Sequence, residues 1–149
     1  MKYHSRTVTW KFRESIELDL PAKKSVTILS PSDVFDNYRS LFDCQVRERF
    51  VVLWLSSGNK VVGFEVISEG ILNSSLTHPR EVFRGAIVAT AASVILAHNH
   101  PSGNPEPSEE DIAITKQLVE SGKIMGIPVH DHIIFAERKY TSLAERGLL

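Results

Sequence analysis

Three consecutive stretches narrow the fold more than any other feature: SVILAH, SEEDIAITKQLVESGKIMG and IPVHDHIIFA. SVILAH is a short apolar run that reads as a buried strand. The second stretch has helical spacing, with Ser108 as its cap and Gly122 or Gly126 near its end. The third reads as a further strand. Upstream, RFVVLWL and KVVGFEVIS are β-rich and separated by SSGN, a hairpin signal. SPSDVFDNYRSLF puts Val34, Phe35, Tyr38, Leu41 and Phe42 at helical spacing behind Ser30 or Ser32. HPREVFRGAIVATAA has Pro79 in its first turn and Val82, Phe83, Ala86, Ile87 and Thr90 along one face. Strands interleaved with helices require an α/β layered domain, a mixed sheet flanked by helices. The remaining segments are plainer. TVTWKFRESIELDL alternates as extended chain or a hairpin until Pro21, and YTSLAERGL reads as a short final turn of helix.

Composition removes several classes of function. Seventeen basic against eighteen acidic side chains give a net charge of −1, so the basic footprint of a phosphate-binding surface is missing. MKYHSRTVTWKFR has no apolar core of a signal peptide, and AIVATAASVILA is broken by Thr90 and Ser93 and too short to span a bilayer. The expectation is a soluble, unexported, cytoplasmic protein with no membrane partner. The single Cys44 cannot form an internal disulfide, which agrees with a reducing compartment.

Chemistry concentrates in HNHPSGNPEPSEED, residues 98–111. If VILAH is a strand, His98 and His100 share a face at its end, since strand side chains repeat every two residues. Pro101, Gly103, Pro105 and Pro107 force a loop that can fold back, and the helix opening at Ser108 carries Asp111 in its first turn. Two imidazoles and one carboxylate leave the fourth position of a tetrahedral zinc open, the arrangement of a catalytic site. The simpler explanation of Ser108 and Asp111 is a helix cap. The roles are compatible, and the spacing H-x-H-x7-S-x-x-D should coincide only on the order of once in a thousand chains of this composition and length. The string HNH itself is no evidence for the nuclease class of that name, whose residues lie far apart in the chain.

The pattern of His98, His100, Pro101, Ser108 and Asp111 resembles the metal-site signature of JAMM (JAB/MPN) zinc metalloproteins. HPREVFRGA, AHNHPSGNPEPSEEDI and DHIIF resemble the RadC branch in particular, over residues 28–149, behind an extended arm over 1–27. The resemblance implies a cytidine-deaminase-like α/β fold and one Zn2+ per chain held by His98, His100 and Asp111, activating water against a peptide or isopeptide carbonyl. It implies Ser108 as the oxyanion donor. It also implies a glutamate upstream as general base, and Glu48 in RERFVVLWL matches, lying by alternation on the face of Phe50 and Val52. Glu81 is the runner-up, although a carboxylate in a first helical turn is explained by the helix dipole. Asn99 stands where peptidase members usually carry serine or threonine, an asparagine that the RadC branch shares, so the resemblance implies metal binding more strongly than peptidase activity. Full-length RadC-type proteins carry a helix-hairpin-helix region upstream, where this chain has only about 28 residues.

His130 and His132 are two apart on a strand; Asp131-His132 fits the branch pattern, and His132 is read as packing or as an outer partner of a ligand. His78 is read as a helix-entry residue. The leading function is therefore a zinc-dependent peptidase or isopeptidase acting on a protein or peptide. The alternative is a DNA-repair or recombination-associated module that binds metal without turnover. The arm, where Tyr3, Trp10 and Phe12 interleave with Lys2, Arg6, Lys11 and Arg13, is its best nucleic-acid contact, and could also pair into a homodimer.

Overall fold

The computed structural model describes residues 26–42, 46–70 and 77–149. The expectations for the N-terminal arm and for Cys44 lie outside the described residues. The elements run α1 (Pro31–Tyr38), a 3-10 turn (Arg39–Leu41), β1 (Glu48–Leu55), β2 (Val61–Gly70), α2 (Pro79–Val88), β3 (Ser93–Asn99), α3 (Glu109–Met125), β4 (Val129–Ala136) and β5 (Lys139–Ser142). They form a five-stranded sheet in the order β2-β1-β3-β4-β5. The β3–β4 pair is parallel and the other pairs are antiparallel, so the sheet is mixed as expected. A parallel pair needs a crossover, and α3 supplies it.

Strict alternation in β1 divides the core between two layers. Phe50, Val52 and Trp54 face Val82, Phe83 and Ala86 of α2 and Ile114 and Leu118 of α3. Val51, Leu53 and Leu55 face the opposite side, where Val34 and Tyr38 of α1 cover them. Each fully buried side chain of this size contributes about 1.5–3 kcal/mol, which is what holds the helices to the sheet. Central β3 is buried at all seven positions, so its sequence reads as an unbroken run and not as alternation. The helices approach closely: a Cβ at Gly85 would clash with the Trp54 ring. The α3 helix ends at Gly126 in the left-handed region, φ 69°, as its glycine suggested.

One expectation is corrected. In YTSLAERGL, Tyr140, Thr141 and Ser142 belong to β5, which pairs antiparallel with β4 and closes the sheet edge, and turns follow it. Its two-residue connection, Glu137 and Arg138, carries neither the glycine nor the asparagine that advertises a tight hairpin.

Candidate metal centre

Register sets the site at one end of β3. Phe50 of β1 pairs with His98, and Ile134 of β4 pairs with it on the other side. His98 is wholly buried on the face covered by α3. His100 follows the strand; its N–H donates to the Phe135 carbonyl (2.8 Å), carrying the ladder one step past β3. The loop then turns through Gly103 at φ +77°, and His100 Nδ1 donates to the Asn104 carbonyl at 2.8 Å. That bond uses the Nδ1 proton, so the lone pair of neutral His100 lies on Nε2.

The α3 helix opens with a reciprocal cap. Asp111 N donates to Ser108 Oγ at 3.1 Å, while the Ser108 backbone N–H and hydroxyl both donate to Asp111 Oδ2 at 2.7 Å. Asp111 is 3% exposed and sits 3.2 Å from His98 Nε2 and 3.3 Å from His100 Nε2. The two Nε2 atoms lie 3.0 Å apart. One ligand atom from each of the three residues falls within 4.8 Å of the others. Two imidazole nitrogens this close, beside a carboxylate, need a proton or a cation between them. Burial opposes ionisation of Asp111, yet its contacts with the His100 and His98 rings and the hydrogen bond from the Ser108 hydroxyl outweigh it and hold its carboxyl far below the usual range. The Asp111 contact raises His100 against burial, helped by the Asn104 carbonyl. Donor set and electrostatics both fit a divalent cation, and this group could hold a metal ion.

The other candidates separate. Glu48 opens β1, half-buried, and its charge is one of those that raise His100. Glu81 lies in the first turn of α2 and pairs with Arg84 at 2.9 Å, as a helix-end carboxylate would. His78 is the N-cap residue of α2. His130 is exposed, whereas His132, two residues on, is fully buried and 2.7 Å from His98. Burial above all, with the neighbouring His98 ring, pushes His132 well below the ordinary imidazole range.

Three residues had not been given these roles by sequence. Thr115, one helical turn after Asp111, donates to the Asp111 carbonyl at 2.5 Å and lies 2.6 Å from His132 Nδ1. Its only signal was i, i+4 spacing from Asp111 on the same helix. Asn99, between the two histidines, accepts from Arg49 N at 2.8 Å and donates to the Arg47 carbonyl at 3.1 Å. Its amide thereby ties down both neighbours of Glu48. Asp131 accepts from His132 N, Ala144 N and Ser142 Oγ, holding the C-terminal segment to β4. Burial raises its pKa against those three bonds. Beside His100 a groove of about 300 Å³ opens, lined by Phe35, Arg39, Phe42, Pro101 and Phe135 among others. No helix among the described residues is long and apolar enough to cross a membrane.

The family model described as RadC-like JAB domain matches residues 28–148. A UPF0758 protein of Salinibacter ruber is 50% identical over 134 residues, covering 90% of this chain and 58% of that protein. One from Desulforamulus reducens is 50% identical, covering 87% and 57%. One from Pelobacter propionicus is 54% identical over 121 residues, covering 80% and 52%. The chain thus spans about half the length of the curated relatives it matches.

Proposed function

The chain belongs to the RadC-like JAB domain family, and from that premise we propose that it is a zinc-dependent hydrolase of the JAMM type that cleaves a peptide or isopeptide bond. The observation that carries this reading is the convergence of His98, His100 and Asp111 around one point. Those three residues would hold the ion. Zinc bound there would supply Lewis acidity, polarising a carbonyl and lowering the pKa of water to about 7.

The chain's own groups take the remaining roles. Glu48 accepts the proton of the attacking water and returns it to the leaving nitrogen, and its half-buried position beside His100 suits that shuttle. Asn99 holds the backbone on either side of Glu48, limiting its drift. The Ser108 hydroxyl rotates from Asp111 Oδ2 toward the oxyanion, while the Ser108 backbone N–H keeps that oxygen in place. The groove beside His100, with its aromatic wall, accommodates side chains of an extended polypeptide.

The test is metal content by mass spectrometry on the tag-free chain and on Asp111→Ala, followed by peptide and isopeptide substrates with Glu48→Gln as control. About one zinc per chain, lost in Asp111→Ala, is expected. A wild-type chain that takes up no stoichiometric metal after reconstitution overturns the proposal. A second reading is a metal-binding module, associated with nucleic acid or protein, that turns nothing over. It draws on Asn99, whose amide is committed to backbone groups and offers the site no hydroxyl. A zinc-loaded chain inert toward every amide substrate favours it.

A further inference from the structure

We propose that Thr115 and His132 form a directed hydrogen-bond relay that fixes which nitrogen of His98 faces the metal. Both are positioning residues of the centre, and the inference rests on the metal-site reading above. The direction follows from proton counting. The Asp111 carbonyl has no proton, so its 2.5 Å contact with Thr115 Oγ1 uses the hydroxyl's only one. Thr115 Oγ1 therefore acts as acceptor toward His132 Nδ1, 2.6 Å away, and Nδ1 carries a hydrogen. His132 is wholly buried, where a second ring proton and its charge would be costly, so it keeps a single N–H and its Nε2 is bare. At 2.7 Å from His98 Nδ1, that bare nitrogen accepts, and His98 carries its proton on Nδ1. The lone pair of His98 is left on Nε2, the atom that faces Asp111 and His100.

Reversing any arrow breaks another bond. An Nε2–H on His132 with a bare Nδ1 would need the Thr115 proton, leaving two oxygen acceptors 2.5 Å apart at Asp111. The relay also closes on itself mechanically. It starts on the turn of α3 that bears Asp111, crosses to β4 at His132 and ends on β3 at His98, so the two ligand-bearing elements are held together through it. Phe50 packs edge-on to His132 with ring centroids 5.5 Å apart, leaving that imidazole little room to turn. Ligating histidines commonly lean on a carboxylate or a carbonyl; here the partner is a second, wholly buried imidazole.

Two measurements test this. In two-bond proton–nitrogen spectra of the chelator-treated chain with nitrogen-labelled histidine, His132 is expected as the neutral Nδ1–H tautomer. A His132 protonated on Nε2 overturns the relay. In competition with a chromophoric chelator, Thr115→Val is expected to weaken zinc roughly 10–100-fold, the usual effect of losing an outer partner, while Thr115→Ser stays within roughly threefold of wild type. Equal affinity for Thr115→Val and wild type also overturns it. If the wild type binds no zinc, the metal-site reading fails, and the tautomer of His132 still decides the relay.

Discussion

The pattern S-x-x-D begins two helices in this molecule and does two different things. At Ser30–Asp33 it caps α1: Asp33 Oδ2 accepts from Leu29 N and Ser30 N at 2.8 Å and from Ser30 Oγ at 3.0 Å. At Ser108–Asp111 it caps α3 with the same reciprocal bonds. Locally the two are nearly interchangeable. They differ in what the fold sets opposite the carboxylate. Asp33 is half-exposed at the rim, whereas Asp111 is buried against the histidines that end the central strand. A cap is thus a property of a few neighbouring residues, and a candidate metal site is a property of the sheet register that brings β3 to the start of α3.

The largest break in this comparison comes from exchanging the carboxylates for alanine. Asp111→Ala is expected to abolish stoichiometric metal, because it removes one of three ligands, while Asp33→Ala keeps full metal content and loses only about 1 kcal/mol of stability. Elemental analysis and urea melts on both variants check this. Metal retained in Asp111→Ala would reduce the second box to a cap like the first. Next in size is the burial that holds α1. Tyr38 is 2% exposed, and burial pushes its phenol up to about 12. A folded pKa above the unfolded value of about 10 means that the contribution is complete below pH 10 and lost as pH rises through 12. At about 1.4 kcal/mol per unit the ceiling is about 3 kcal/mol, and Tyr38→Phe should flatten the decline in stability between pH 10 and pH 12 in denaturant melts. Third, Ser30→Ala and Ser108→Ala should each cost about 1 kcal/mol as lost caps. Only Ser108→Ala should weaken zinc in chelator competition, by less than roughly tenfold, since the backbone N–H of residue 108 still holds Asp111. Equal zinc affinity in both would separate the cap from the centre.

Much of this was legible because the informative signals are local. Alternation in β1, Pro79 at the start of α2, the two caps and the glycine stop of α3 each depend on a few adjacent residues, and the element order then implies the layered sheet. The metal pattern was legible for the same reason: β3, a short loop and a capped turn lie within fourteen residues, 98–111. What escaped depends on residues far apart in the chain. Thr115 gains meaning only when β4 brings His132 beside it, seventeen positions away, and Asn99 only when register sets it against Arg47 and Arg49, about fifty away. His130 and His132 are two apart, yet the β3–β4 register shifts at His130, which lines a pocket beside Ile28 and Ile133, while His132 meets His98. The β5 hairpin hid behind a turn without turn residues.

The smallest effect sharpens the comparison from its weaker side. The backbone N–H of Leu29, then the hydroxyl of Ser30, hold Asp33 below the ordinary carboxylate range. A folded pKa below the unfolded value near 3.9 gives stability that is present above pH 3.9 and lost as pH falls through the folded value. Solvent screens this exposed box, so its contribution stays below about 1 kcal/mol. Asp33→Asn keeps the shape of the cap without the charge and gives up most of the pH dependence. Urea unfolding of wild type and Asp33→Asn should therefore differ at pH 6 and converge as the pH falls through the folded value. A gap that persists into acid, with no narrowing, would mean that carboxylate shape, and not charge, stabilises this cap, and the two boxes would then differ in their local chemistry as well as in their surroundings.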